Sequence, residues 1–123
     1  MTAPYPPAPA LATLLIGAGV THFAVPAFYD AMIPEFLPGS PRVWTRGSGV
    51  LELAVGTAVL VPRTRRAGAL AAAALFAAVL PGNVKMAIDA RRSDSVAYRA
   101  GTILRLPAQA PLIGWALRVR SRA

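Results

Sequence analysis

Six residues of this sequence bring reactive or hydrogen-bonding groups into apolar surroundings: His22, Glu52, Asn83, Lys85, Arg105 and Gln109. They supply an imidazole, a carboxylate, two amides, an ammonium and a guanidinium. Such a set can hold a polar head group, lock an ion pair or relay a proton. It lacks what metal binding and nucleophilic catalysis need. His22 is the single histidine and there is no cysteine, so thiol redox chemistry and cysteine metal sites fall away and no metal is expected. No serine stands at a readable spacing from the histidine. The glycine runs GAG (17–19) and GSG (47–49) sit within or beside apolar helices and carry no Walker or dinucleotide pattern. No catalytic residue is assigned, and a stand-alone enzyme is not expected. Any chemistry would come from a cofactor or partner, and no cofactor is built in.

The solvent around these groups follows from composition. The 123 residues are 55% hydrophobic and 15% charged, well below the roughly one-quarter charged of soluble domains. No charge precedes Asp30, and none lies between Ala67 and Leu80. Residues 8–25, 43–61, 67–88 and 102–119 form four apolar segments near the roughly 20 residues that cross a hydrocarbon core. The expected fold is therefore all-α, a transmembrane four-helix bundle occupying residues 8–119. A proline-rich tail expected to be disordered (1–7) precedes it and a basic tail (120–123) follows. The tail lacks the basic start of a secretory signal, so the first segment reads as a retained helix. A compact soluble bundle is the alternative, but segments one and three have no polar face for water.

Arginine placement sets the orientation. The short turn between helices two and three holds Arg63, Arg65 and Arg66, and the C-terminal end holds Arg118, Arg120 and Arg122. These regions share a side in any four-span topology, and their clustering at helix ends favours both termini in the cytoplasm of a bacterial cell. The net charge of +8 then reflects topology and contact with anionic lipid, and nucleic acid is not an expected partner. In this topology His22, Glu52, Asn83, Lys85, Arg105 and Gln109 all fall in the outer half of the bilayer, and four helices contribute to one polar layer.

Energetics require these groups to meet. A charge at the centre of an inserting helix costs about 2.5–3.5 kcal/mol, while each Leu or Val returns about 0.3–0.6. Glu52 should therefore be protonated or paired. Arg105 is the first candidate because a guanidinium grips a carboxylate bidentately; Lys85 and His22 are alternatives. Gly49, Glu52 and Gly56 share a stripe at i, i+3 and i+7, where small residues admit a neighbouring helix. Pro81 and Pro107 withdraw donors from the carbonyls of Ala77 and Ile103, which then need partners such as Asn83 or Gln109. On this reading PGNVK (81–85) is a helix opened where polar groups are wanted. Lys85, near a helix end, reads as snorkelling to the headgroups.

Four ordered motifs resemble those of the DoxX-like integral membrane proteins. They are GVTHFAVPAFY (19–29), SGVLELAVG (48–56), PGNVKM (81–86) and RLPAQ (105–109), against the family's G-x-x-H-F-x-x-P-x-F-Y, S-G-x-x-E-x-x-x-G, P-A-N-x-x-M and R-L-P-x-Q. Gly82 stands where alanine is usual, and Lys85 adds a charge inside the third motif. The resemblance implies a four-helix membrane bundle. Function stays open, because the wider superfamily spans small subunits of thiosulfate:quinone oxidoreductases, methylamine-utilisation proteins and receptor-assembly chaperones.

Three functions are carried forward. In the first, the polar layer binds a quinone, a lipid headgroup or a similar small molecule beside a partner oxidoreductase. In the second, the chain is a structural or assembly protein whose polar layer only fixes helix packing. In the third, it is a small proton-linked transporter with Glu52 as the titrating group, which four short helices would accommodate best as a homo-oligomer. Phe23, Phe28, Tyr29, Phe36, Trp44 and Tyr98 read as an outer aromatic belt, and Trp115 suits the inner interface.

Overall fold

Proline starts most of the helices. A computed structural model describes residues 7–123, and four of its six helices carry proline in their first two positions, where the missing N–H has no intrahelical acceptor. The helices are α1 (Ala8–Ala24), α2 (Pro26–Asp30), α3 (Pro41–Leu60), α4 (Arg65–Ala78), α5 (Leu80–Ala90) and α6 (Val96–Arg122). There is no strand among the described residues. Residues 1–6 of the expected tail lie outside them. Ser95 caps α6, its Oγ accepting from the Tyr98 N–H at 3.1 Å. The α3–α4 turn satisfies the last carbonyls of α3: Arg65 donates to Val59 and Leu60 at 2.8 Å, and Thr64 to Ala58 at 2.7 Å.

Several expected boundaries change. The third apolar segment is two helices, α4 and α5, interrupted at Val79. Pro81 forces this, because its ring and missing N–H disturb the turn before it. The break therefore precedes PGNVK, which is itself helical. The linker after the first helix contains α2. The fourth helix begins at Val96 and runs through Pro107 and Pro111 to Arg122.

The long helices follow one another around the molecule: α1 lies on α3, α3 on α4, and α4 and α5 on α6, with few contacts closing α1 against α6. The apolar core fills the end that holds the start of α1 and the end of α6. Leu11, Leu15, Val55, Val59, Phe76 and Val119 are buried there, with Ala69, Ala72 and Ala116 drawing α4 and α6 together. Glycine sets two of the approaches. A Cβ on Gly56 would stand 2.7 Å from Ile16 Cγ1, and one on Gly68 would stand 2.7 Å from the Val59 nitrogen. Both fall short of ordinary contact, so α1 and α4 pack on α3 only because those positions lack a side chain.

By length and composition, one helical run among the described residues qualifies as a membrane span. It is Arg65–Ala90, taken through the break, with a mean hydropathy of 1.7 over its most apolar stretch. The apolar α1 is 17 residues long.

Candidate functional site: buried polar residues on four helices

Of the buried polar residues, His22, Thr45, Asn83 and Thr102 lie towards the end that holds α2 and the start of α3, while Glu52 and Gln109 sit near the middle of α3 and α6. Six are buried: His22, Thr45, Glu52, Asn83, Thr102 and Gln109. On α3 they occupy the stripe Thr45, Gly49, Glu52, Gly56, which faces α1. A Cβ on Gly49 would meet His22 Cβ at 2.9 Å and the Phe23 ring at 2.7 Å, so this glycine brings the histidine against the carboxylate's helix.

His22 is the group nearest Glu52. Its Nδ1 lies 3.5 Å from Glu52 Oε2 and 2.7 Å from the Ala18 carbonyl. A single Nδ1–H serves only one acceptor well, and the carbonyl is far closer. Glu52 Oε2 is thus left buried without a hydrogen bond, despite the nearby ring. Tyr29 stacks on the imidazole, with ring centroids 3.7 Å apart, and its hydroxyl is 2.6 Å from Thr21 Oγ1. The tyrosine therefore covers the pair from the α2 side.

A second set of contacts fixes that cover. Asp30, the last residue of α2, accepts from Thr45 Oγ1 at 2.6 Å and from Arg42 Nε at 2.9 Å. The Thr45 hydroxyl, helped by the Arg42 guanidinium, outweighs desolvation and holds the Asp30 carboxyl below its ordinary value.

On the other two helices, Asn83 and Gln109 are buried, and neither Asn83 Oδ1, Asn83 Nδ2 nor Gln109 Oε1 has a partner. The expectation that Asn83 satisfies the carbonyl freed by Pro81 is therefore corrected. By helical rise from the Gly68–Val59 contact, Asn83 stands about 12 Å nearer the α2 end than Glu52. The polar groups thus lie at different depths. Gly82 lets α5 approach the loop: a Cβ there would lie 3.2 Å from the Met32 carbonyl.

Arg105 corrects a further expectation. It is exposed and forms no ion pair with Glu52. The buried residues of α6 are Thr102, Gln109, Ala116 and Val119; at the level of Arg105 only the Thr102–Gln109 line is covered, and Arg105 falls on its flank. Lys85 does not pair with Glu52 either. Its Nζ donates to the Ala31 carbonyl at 2.8 Å and to Asp89 at 3.0 Å, tying α5 to the segment after α2. Pro81 and Pro107 are exposed, so they shape their helices without packing against others.

Tyr29, Asp30, Thr45 and Thr102 were not singled out from the sequence as site residues. One signal was present: Thr45 precedes Glu52 by seven on the Gly49–Gly56 stripe. No group of three or more His, Asp or Glu residues able to hold a metal occurs among the described residues.

The family model described as a domain of unknown function, DUF8561, matches residues 11–120, and the chain belongs to that family. No curated protein and no solved structure matches the chain.

Proposed function

We propose that this DUF8561 member is a DoxX-like four-helix integral membrane protein of the bacterial inner membrane, with both termini cytoplasmic. Its buried polar groups bind a quinone, a lipid headgroup or a similar small molecule beside a partner oxidoreductase. The observation that carries this reading is the set of buried atoms without partners: Glu52 Oε2, both amide atoms of Asn83, and Gln109 Oε1. Leaving such an atom unsatisfied costs about 1–3 kcal/mol, so these groups on three helices call for a molecule that donates and accepts.

The outward faces support the bilayer. Apart from the buried Glu52, no Asp, Glu, Lys or Arg occurs on α1, on α3 from Gly47 to Leu60, on α4–α5 from Ala67 to Val84, or on α6 from Leu106 to Leu117. Exposed Leu14, Val20, Val50, Leu51, Leu70, Val84 and Leu117 cover these stretches. At 1.5 Å per residue they span about 18–27 Å, which flanking side chains extend toward a hydrocarbon core of about 30 Å. A soluble protein would keep these faces charged. Exposed Phe23, Phe28, Phe36, Trp44 and Tyr98 gather at the outer rim, as interfacial aromatics do.

A second reading has its own support. Close packing at Gly49 and Gly56, with His22 beside Glu52, fits a structural clasp in an assembly protein. Native mass spectrometry in mild detergent, followed by solvent extraction, separates the two. Wild type should carry a stoichiometric small molecule that is diminished in Glu52→Gln and in Asn83→Leu. A wild type that retains nothing beyond an unrelated four-helix bundle, with both variants merely less stable, supports the clasp and overturns the binding role.

A further inference from the structure

A groove of about 700 Å³ lies on the outside of the bundle, between the 34–36 loop and the outward face of α5. Its floor is the stripe Ala77, Leu80, Val84 and Ile88, and Phe36 forms part of its wall. Asn83 does not line it, and Lys85 points nearly opposite to Asn83 on α5, so the groove is separate from the buried polar groups. Its size falls in the range of about 300–1,000 Å³ usual for small-molecule sites. Two charged residues also line it, Lys85 and Glu35.

We infer that this groove holds one phosphatidylethanolamine of the surrounding bilayer, with an acyl chain on the α5 stripe and the zwitterionic headgroup between Lys85 and Glu35. The inference rests on the transmembrane reading above, which sets the groove at the outer membrane interface. The headgroup choice follows from charge and donor count. Lys85 spends two of its three N–H donors on the Ala31 carbonyl and Asp89, leaving one for a phosphate oxygen. Asp89 already balances the lysine, so Glu35 makes the local sum negative. A lipid of net negative charge is therefore disfavoured, and a headgroup carrying its own cation is favoured. A primary ammonium suits the site better than a quaternary one, because it brings N–H donors. Glu35 can accept from it.

The full chain would be equilibrated in vesicles of equal parts phosphatidylethanolamine, phosphatidylcholine and phosphatidylglycerol, then washed at alkaline pH. The retained chain would be released into mild detergent for native mass spectrometry. The expected result is a one-to-one phosphatidylethanolamine adduct favoured about two- to fivefold over the other two lipids, the scale of an exposed charge contact. Glu35→Gln, in an exposed loop, should bring phosphatidylethanolamine down to the phosphatidylcholine level. Val84→Trp, which fills the groove, should remove the adduct. Equal retention of the three lipids, a preference for phosphatidylglycerol, or a preference that survives either substitution overturns the inference. A chain washed off the vesicles refutes the transmembrane reading and this inference with it. A chain that stays but shows no lipid preference refutes the inference alone.

Discussion

Replacing Glu52 with leucine separates a binding site from a clasp, because the two predict opposite signs of stability change in the absence of ligand. Glu52 Oε2 is buried without a donor, and the nearest one, His22 Nδ1–H, serves the Ala18 carbonyl. In protein stripped of small molecules, Glu52→Leu removes an unsatisfied buried atom and keeps a side chain of similar length. The variant should then be more stable than wild type by about 1–3 kcal/mol. In protein extracted gently from membranes, wild type gains the binding energy of the occupant, about 2.7 kcal/mol if the occupant is present at a hundredfold excess over its Kd. That gain largely cancels the variant's advantage or reverses it. Thermal unfolding in mild detergent, followed by the fluorescence of Trp44 and Trp115, measures both preparations. The reasoning is refuted if Glu52→Leu is less stable by the same amount in both, which would mean that the carboxylate holds the helices together whatever else is present.

Two other predictions concern the frame around the cluster. Gly68→Ala should destabilise by about 1–3 kcal/mol, since its Cβ would lie 2.7 Å from backbone of α3. Gly17→Ala, with open space around it, should stabilise by up to about 1 kcal/mol; equal effects at the two positions in a thermal unfolding assay would contradict the close α3–α4 packing. Asp30 gives a pH dependence. Its folded pKa is lowered, so its contribution is fully present above the unfolded value of about 3.9 and is lost as pH falls through the folded value. The difference in unfolding midpoint between wild type and Asp30→Asn should hold steady from neutral pH to about pH 5 and close well below pH 4. A difference that persists there would show that Thr45 and Arg42 do not act through the carboxylate's charge.

The sequence makes depth legible but not rotation. Counting residues from helix ends puts His22 and Asn83 toward one end of the helices and Glu52 and Gln109 near mid-helix, and all four are buried. Arg105 has a similar depth yet faces outward, because the angular position of a single side chain depends on how wide a stripe the neighbours cover. Around Arg105 only Thr102 and Gln109 of α6 are buried, and α6 borders mainly α4 and α5. Lys85 shows the same limit: two residues from Asn83, it lies on nearly the opposite side of α5. The interruption at Val79 was hidden for another reason. Pro81 announces a disturbance, but its ring acts on the preceding turn, so the break falls upstream of the motif that causes it. Tyr29 was hidden by its type, since an aromatic near a helix end reads as an interfacial anchor until a partner such as His22 is located in space.

The account depends most on the charge-free outer faces lying in lipid, and single-cysteine labelling tests this directly in a chain that has no cysteine of its own. Cysteines would replace exposed residues at three depths: Ala97 at the outer rim, Leu51 and Leu70 on the belt, and Ala67 at the inner rim. Each would be challenged in intact cells with a membrane-impermeant maleimide. The account predicts that Ala97→Cys labels at once, Ala67→Cys labels only after the membrane is permeabilised, and Leu51→Cys and Leu70→Cys label in neither condition. Labelling of the two belt positions as rapid as that of the rims would mean that these faces meet water or lie open to it, and would contradict the account.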